Sequence, residues 1–427
     1  MKIPPVKGTR DFYPPLMAVR NWITDGWKRI SMRNGFEEYD GPIFEYLQMY
    51  TQKSGQEITE QLFSLTDRGG RDLAIRPEIT PTLARMVNQQ INSLPRPIKW
   101  FSVPRLCRAE RPQKGRLREF FQWNIDIIGI DDVLADAEVI FCAVDYLQSV
   151  GLTAKDVVVK ISSRKMLAAL LHAIGIEENL RDPLYALLDK KSKLPAETFV
   201  EMLRTLLTDE TQRTAILNLM NCKTIEEISG VVKFTDETQK AVDELKELFN
   251  MLGTMSIAEF CVFDIGIIRG LAYYTGVVFE VYDRSGELRA IGGGGRYDNL
   301  LRDFGGPAIA ATGFGMGDCV LAIVLEEKGL LAPGAVTRKL DYYIAYTDKE
   351  FLSKAIEITT QLRRKGFAAE LSYKGGNLGK QLKAASDANA KKCIIIGQEL
   401  KDRNEIAVKD LTSGEQKLCK AEDLFNI

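Results

Sequence analysis

The sequence predicts two folded parts, an α+β part over residues 1–328 and an α/β part over residues 341–427, joined by a linker at 329–340. Three observations predict this. Short β-prone runs alternate with turns from about residue 36 to 130, and a tract at 163–250 is almost wholly helical in pattern. From residue 341 onward, strand-like and helix-like segments alternate regularly, the pattern of an α/β unit. A length of 427 residues, at roughly 150 per domain, suits two or three domains.

The elements follow in order. Residues 1–15 are proline-rich and extended. Residues 16–34 place Val19, Ile23, Trp27 and Ile30 at helical spacing, which predicts an amphipathic helix. The runs FEEYDGPIFEY, QLFSLTDRGGRDLAIRP and PIKWFSVPRLCR read as short strands, with Gly69-Gly70 turning a hairpin. A helix is expected at 133–150 and a strand at 157–161. The helical tract at 163–250 reads as an insertion within the β-rich part. Strand signals return at 259–283, a glycine-rich turn is expected at 292–295, and a helix at about 317–328 closes the first part. Pro333 and Gly334 mark the linker. Beyond it come DYYIAYT (strand), FLSKAIEITTQLRRKG (helix), FAAELSY (strand), LGKQLKAASDANA (helix) and KCIIIG (strand), predicting a parallel or mixed sheet.

Composition excludes several chemistries. The net charge is -1, and the chain holds one histidine, His172. That rules out a histidine-rich zinc site, and the apolar neighbours of His172 predict a packed helical side chain. The seven cysteines form no C-x-x-C pair, which argues against a zinc ribbon and for reduced thiols in the cytoplasm. No apolar run approaches the length of a membrane span, and the N-terminus lacks an apolar signal core.

Three glycine clusters invite a nucleotide-loop reading and fail it. The run beginning Gly375-Gly376-Asn377 has Lys374 where a P-loop needs its first glycine, and Gln381 where it needs Ser or Thr. The runs at 313–318 and 292–295 also miss the dinucleotide pattern. Close backbone packing or a tight turn accounts for each.

The richest segment is RLCRAERPQKGRLREFFQWNID, at 105–126. Residues 105–119 hold six basic and two acidic side chains, net +4, around a Pro-Gln-Lys-Gly turn. Such a hairpin presents arginine forks suited to phosphate. Phe120, Phe121 and Trp123 are candidates to stack on a base. The 341–427 segment carries 15 basic and 13 acidic residues, net +2.

In its order of motifs the chain resembles the class II aminoacyl-tRNA synthetases, and within them the histidyl-tRNA synthetases. The resemblance covers nearly the whole length. It rests on Lys7-Gly8-Thr9-Arg10-Asp11, on Tyr39-Asp40-Gly41-Pro42-Ile43-Phe44-Glu45 (motif 1) and on RAERPQKGRLREFFQ (motif 2). Two segments are specific to the histidyl family, Arg269-Gly270-Leu271-Ala272-Tyr273-Tyr274-Thr275-Gly276 and the Gly-Gly-Arg-Tyr-Asp run ending at Asp298. The resemblance implies an antiparallel catalytic sheet flanked by helices, with a helical insertion, followed by a C-terminal α/β anticodon-binding domain.

It also implies roles. Arg108 and Arg269 would stabilise the ATP α-phosphate, Glu110 would place the nucleotide and Phe120 would stack on adenine. In the segment Arg76-Pro77-Glu78-Ile79-Thr80, Glu78 and Thr80 would bind the ammonium of L-histidine together with Gln122, and Ile79, Arg108 and Arg269 would also contact the histidine. Tyr273, Tyr274 and Tyr297 would close around the imidazole, and Asp126 would take a ring nitrogen. Gln113, Arg116 and Arg118 would face the acceptor end of tRNA(His). ATP is implied as substrate with Mg2+, and a cytoplasmic homodimer as the working form. No side chain is assignable as a metal ligand.

The chain departs from the family at three places. Val320 stands where motif 3 usually has an arginine for the γ-phosphate, Asp126 is one methylene shorter than the usual glutamate, and Ala272 replaces an aspartate. These leave open a non-catalytic relative, the regulatory subunit of ATP phosphoribosyltransferase. Such proteins usually lack the C-terminal domain and degrade the Arg-Gly-Leu-x-Tyr-Tyr motif, and this chain keeps both. An uncharged-tRNA sensor is a further alternative, expected only with additional fused domains.

Overall fold

A computed structural model of the chain describes residues 3–51, 61–191, 194–268, 273–331 and 340–425. They divide into two compact units, the first carried mainly by Val19–Leu331 and the second by residues beyond 331.

In the first unit the strands are β1 (Glu37–Glu38), β2 (Phe44–Tyr46), β3 (Phe63–Thr66), β4 (Asp72–Ile75), β5 (Ile98–Ser102), β6 (Arg105–Cys107), β7 (Glu119–Ile128), β8 (Val157–Ser163), β9 (Cys261–Phe263), β10 (Val277–Asp283), β11 (Gly292–Arg296) and β12 (Ala311–Gly317). The main sheet runs β1-β5-β7-β12-β11-β10-β8-β9, with β6 paired to β7. Its centre is antiparallel, and the end pairs β1–β5 and β8–β9 are parallel. The strands β2, β4 and β3 form a small separate antiparallel sheet, whose β3–β4 hairpin turns at Gly69-Gly70.

Local chemistry sets the helices that back this sheet. Pro14–Arg33 starts on two prolines, which lack only an N–H that has no partner in a first turn. It buries Ile23, Trp27 and Ile30 on one stripe. Val133–Ser149 is capped by Asp132, which accepts from Leu134 N, and is buried on most of its surface. Asp236–Thr254 begins with a reciprocal capping box between Thr235 and Thr238. The helical residues 164–254 share one continuous core with the sheet: Leu170, Leu184, Phe199 and Leu248 join the cluster that holds Val159, Ile161 and Trp27.

Three expectations are corrected. Residues 292–295 form the strand β11 rather than a turn, because pairing on both sides overrides the weak strand propensity of glycine. The approach is so close that a Cβ on Gly294 would stand 2.0 Å from the Gly313 carbonyl oxygen. His172 is exposed on its helix and faces Glu237, with Nδ1 3.2 Å from Oε2. Trp123 and Phe121 do not offer faces to a base. Trp123 lies fully buried, its indole donating to Ser31 Oγ at 2.8 Å, and Phe121 packs against Phe12.

The second unit contains β13 (Leu340–Tyr346), β14 (Ala369–Leu371), β15 (Ala390–Ile396), β16 (Glu405–Asp410) and β17 (Gln416–Lys420), in the order β14-β13-β15-β16-β17. β13, β14 and β15 are parallel, joined by the helices Leu352–Arg364 and Leu378–Asp387. An antiparallel hairpin, β16–β17, extends the sheet beyond the predicted strands. Among the described residues no helix is long and apolar enough to cross a membrane.

Candidate active site

Strand β7 organises the site. Successive side chains on a strand point to opposite faces. Phe121, Trp123, Ile125 and Ile127 therefore turn one way, the last three of them into the core. Gln122, Asn124 and Asp126 turn the other way and line a cavity of about 250 Å3. The strands β12 and β11 on one side leave that face open by placing glycine at the positions that face the cavity. Gly313 pairs with Asp126 and Gly315 with Asn124, and Gly293 lies opposite Gly315. A Cβ on Gly313 would stand 2.3 Å from Asp126 Oδ1, and one on Gly315 would stand 2.8 Å from the Gln122 carboxamide. The glycine runs that failed as phosphate loops thus form the floor of the cavity.

At one end the tyrosines gather. Tyr273 lies 4.9 Å from Tyr274 and 5.8 Å from Tyr297, centre to centre. The Tyr297 hydroxyl donates to Asp126 Oδ1, and Asp126 Oδ2 is buried with no hydrogen-bond partner among the described residues. Burial pushes the Asp126 carboxyl up to about 7, against the downward pull of the Tyr297 hydroxyl. Burial, aided by the neighbouring Asp126, holds the Tyr297 phenol well above its usual range. Thr275 fixes the tyrosine pair to the end of β11: its N–H donates to Arg296 O at 2.8 Å and its hydroxyl to Asp298 Oδ2 at 2.7 Å. Arg296 itself points away from the cavity and meets Asp136 at 2.6 Å, with further bonds to Ile130 O and Asp132 O.

Glu78 and Thr80 enter the lining from the start of the helix Thr80–Gln89. Burial holds the Glu78 carboxyl above its ordinary range, while Arg108 and the Tyr273 hydroxyl oppose this, and Glu78 Oε1 has no hydrogen-bond partner among the described residues. Arg76, buried behind them, grips Asp40 Oδ1 at 2.7 Å and Gly41 O at 2.8 Å, which ties β4 to the Tyr39-Asp40-Gly41-Pro42 segment.

The cationic end is Arg108 and Arg116, both in the lining. Arg108 Nε donates to Pro77 O at 3.0 Å, and its guanidinium lies 5.2 Å from the Phe120 ring centre. Arg116 pairs with Glu110. Three more of the hairpin's cations are held by the protein itself. Arg105 meets Glu119 at 2.8 Å, Lys114 meets Glu327 at 3.1 Å, and Arg118 Nε donates to Glu110 O at 3.1 Å. Gln113 and Arg116 exchange backbone hydrogen bonds across the turn.

The structure thus brings Glu78, Thr80, Arg108, Gln122, Asp126, Tyr273, Tyr274 and Tyr297 into one cavity. Ile79 lies fully buried in the core beneath it. Glu110 and Phe120 support Arg116 and Arg108 from outside the lining, and Gln113 and Arg118 lie in the hairpin beyond it. Arg269 and Ala272 fall outside the described residues. The lining also holds Gln61, Asn124 and Glu280, which the motifs do not single out, and Arg116, expected nearer the tRNA. The period-2 spacing Gln122, Asn124, Asp126 is the signal that would have found Asn124.

Val320, which the sequence reading sets where motif 3 would carry an arginine, is buried and packs under the hairpin turn, 3.0 Å from where a Cβ on Gly115 would lie. Beside it, Asp318 accepts from Arg10 at 2.6 Å and from Phe121 N at 2.9 Å.

Comparison with known proteins places this geometry. A family model described as histidyl-tRNA synthetase matches residues 8–317, and one described as an anticodon binding domain matches residues 336–427. The chain is 39% identical over 420 residues to a histidine–tRNA ligase of Arabidopsis thaliana, chloroplastic/mitochondrial, covering 98% of this chain and 85% of that protein. It is 38% identical over 411 residues to the histidine–tRNA ligase of Opitutus terrae, covering 95% and 93% respectively. In fold it matches the crystal structure of histidyl-tRNA synthetase from Nostoc sp. PCC 7120 with a TM-score of 0.83 at 22% identity, over 100% of this chain and 98% of that one. On the extent of these matches, the chain belongs to the histidyl-tRNA synthetase family.

Proposed function

We propose that this protein is a histidine–tRNA ligase, which activates L-histidine with ATP and transfers it to the 3′ end of tRNA(His). The observation that carries this reading is a single cavity lined by carboxylates, tyrosines and two arginines. The ammonium of histidine offers three donors, which Glu78, Thr80 and Gln122 can accept. The imidazole sits among Tyr273, Tyr274 and Tyr297 with a ring N–H on Asp126. A site built around buried hydrogen-bonding partners rejects analogues that leave them unpaired.

The first step needs no histidine side chain from the protein. A carboxylate oxygen of the substrate attacks the α-phosphorus, a P–O bond forms, and the bond to the departing pyrophosphate breaks. Arg108 stabilises the charge on the α-phosphate oxygens, joined by Arg269 on the strength of the sequence motif. Phe120 stacks on the adenine, and Glu110 orients Arg116. With valine at 320, Arg116 is the side chain we assign to the pyrophosphate end. In the second step a ribose hydroxyl of the tRNA displaces AMP. Gln113 and Arg118, on the hairpin, face the acceptor end.

Mg2+ travels with the ATP in this reading. Among the described residues no three His, Cys, Asp or Glu side chains cluster as a metal site. When it accompanies ATP, such an ion is held chiefly by substrate phosphates with one or two carboxylates.

We assign residues 1–328 to catalysis and 341–427 to anticodon binding. Exposed Ile43, Phe44, Tyr46 and Leu65 on the β2-β4-β3 sheet are the surface we assign to a second copy in a homodimer. The seven free cysteines suit the reducing cytoplasm.

The test is histidine-dependent ATP–pyrophosphate exchange. Exchange supports the ligase. Histidine binding without exchange at saturating ATP would instead favour a regulatory relative.

A further inference from the structure

The glycine run that fails as a P-loop, Gly375-Gly376-Asn377-Leu378-Gly379-Lys380, has no part in the active site. It forms the loop between β14 and the helix Leu378–Asp387, and the loop is firmly built. Ser372 N donates to Ile344 O at 2.9 Å, and Ser372 Oγ donates to Lys374 O at 2.7 Å. Buried Gln381 exchanges two bonds with the Tyr346 backbone and donates to Gly376 O at 3.2 Å. Gly375 lies so close under the Tyr346 ring that a Cβ would stand 2.3 Å from it. The glycines therefore serve packing rather than a phosphate.

On this fixed backbone stands Tyr373. At 88% exposure it is the most exposed large apolar side chain among the described residues. An aromatic ring held out by a pinned loop loses little freedom when a flat partner lands on it. Its surroundings are cationic. Lys374, Lys380 and Lys383 are all exposed, with Lys380 and Lys383 one helical turn apart. Five other lysines of the unit are paired, as in Lys354–Glu357, Lys391–Asp341 and Lys401–Glu350, whereas no ion pair involves these three among the described residues. The acidic side chains after β13 are engaged too: Asp348 caps Glu350 N, and Glu350 holds Lys401. The loop also lies outside the carboxyl end of β14 and packs against that of β13, next to the switch between β13, whose connection runs to β14, and β15, whose connection runs the other way to β16. Open α/β sheets bind ligands at such a point.

An exposed ring flanked by uncommitted cations is the arrangement that holds single-stranded nucleic acid, the ring stacking on a base and the cations meeting phosphates. We propose that Tyr373 is a stacking platform for an unpaired base of the tRNA anticodon loop, with Lys374, Lys380 and Lys383 on the neighbouring phosphates. This rests on the ligase reading above and adds to it the residues that would hold the anticodon.

The test uses the full-length chain and tRNA(His) transcripts carrying 2-aminopurine at each anticodon position in turn. Stacking on Tyr373 should quench one of these probes on binding. Tyr373→Ala should abolish that quench and raise the KM for tRNA roughly 5- to 150-fold, while Tyr373→Phe and Tyr373→Trp keep both near wild type. Lys374→Ala and Lys380→Ala should each flatten the dependence of log affinity on log salt by about 0.7. Pyrophosphate exchange, which uses no tRNA, reports whether each variant is folded. If the wild type binds and charges tRNA but Tyr373→Ala matches it in quench and KM, the platform is wrong and the ligase reading stands. If the wild type shows no exchange and binds no tRNA, the ligase reading falls, and the platform with it.

Discussion

Asp126→Asn tests the physical basis of the pocket most directly. An unfolded aspartate titrates near pH 3.9. In the fold, burial raises Asp126 to about 7. Between these values the folded carboxyl keeps a proton that the unfolded one has lost, so raising the pH favours unfolding. The cost is absent below about pH 4 and complete above about pH 7. A gap of roughly 3 pH units at about 1.36 kcal/mol each makes the ionised carboxylate cost about 4 kcal/mol at pH 8. At pH 5 the same arithmetic gives about 1.5 kcal/mol. An asparagine does not titrate, and its carbonyl oxygen can still accept from the Tyr297 hydroxyl. Wild type should therefore lose about 2.5 kcal/mol of stability relative to Asp126→Asn between pH 5 and pH 8. Urea unfolding of the ligand-free proteins at the two pH values measures this difference. A difference between the two proteins that does not change with pH would refute the argument that burial controls Asp126.

Three further outcomes are expected. Gly315→Ala pushes a methyl into the Gln122 carboxamide, 2.8 Å away, and toward Asn124 Oδ1 at 3.1 Å, so the three nearest atoms it meets belong to side chains. Overpacking of about 1–3 kcal/mol should appear as a rise of roughly tenfold in the KM for histidine, with folding retained, and an unchanged KM would mean that these side chains do not face the substrate. Arg269→Ala should raise the adenylation barrier by about 2.7–4 kcal/mol, measured by pyrophosphate exchange, and an unchanged rate would remove it from the reaction. Removing residues 341–427 should reduce tRNA charging far more than pyrophosphate exchange, and equal losses in both would make the segment a structural support.

Much of the fold is legible in the sequence because local signals and tertiary context agree. The helix Pro14–Arg33 shows its buried stripe at Ile23, Trp27 and Ile30, and the β3–β4 hairpin shows its Gly69-Gly70 turn. The alternation of the second unit likewise gives β13, β14 and β15 with the helices between them. Where the two conflict, the sequence misleads. Four consecutive glycines have the propensity of a turn, but β10 and β12 on either side hold Gly292–Arg296 as a strand. His172 has apolar neighbours in sequence, but a helix alternates its faces, and this residue falls on the exposed one. The +4 hairpin suggests free cations because sequence separation hides partners such as Glu327, more than two hundred positions from Lys114. Side chains that enter the cavity without a motif of their own, such as Glu280 and Gln61, carry no local sign of their neighbours.

The valine at 320, where the motif reading expects an arginine, is best understood through what the surrounding residues do. Val320 is buried beneath the Gly115 turn, so its position is a packing site for the hairpin. One helical position into the same segment, Asp318 receives both Arg10 and the Phe121 N–H, joining the N-terminal segment, β7 and the helix Asp318–Glu327 at one carboxylate. A long cation at 320 would have to leave this apolar contact, and the hairpin would lose its seat. The hairpin in turn carries Arg116 into the cavity lining, where Glu110 fixes its direction. The valine therefore need not mean a lost phosphate contact: it holds in place the strand ends that deliver another arginine to the same cavity. On this argument Val320→Arg would not restore a missing function but would loosen the hairpin and weaken the use of ATP. A raised KM for ATP in that variant, with the KM for histidine unchanged, is the expected result, and a lowered KM for ATP would show that the site still lacks its arginine.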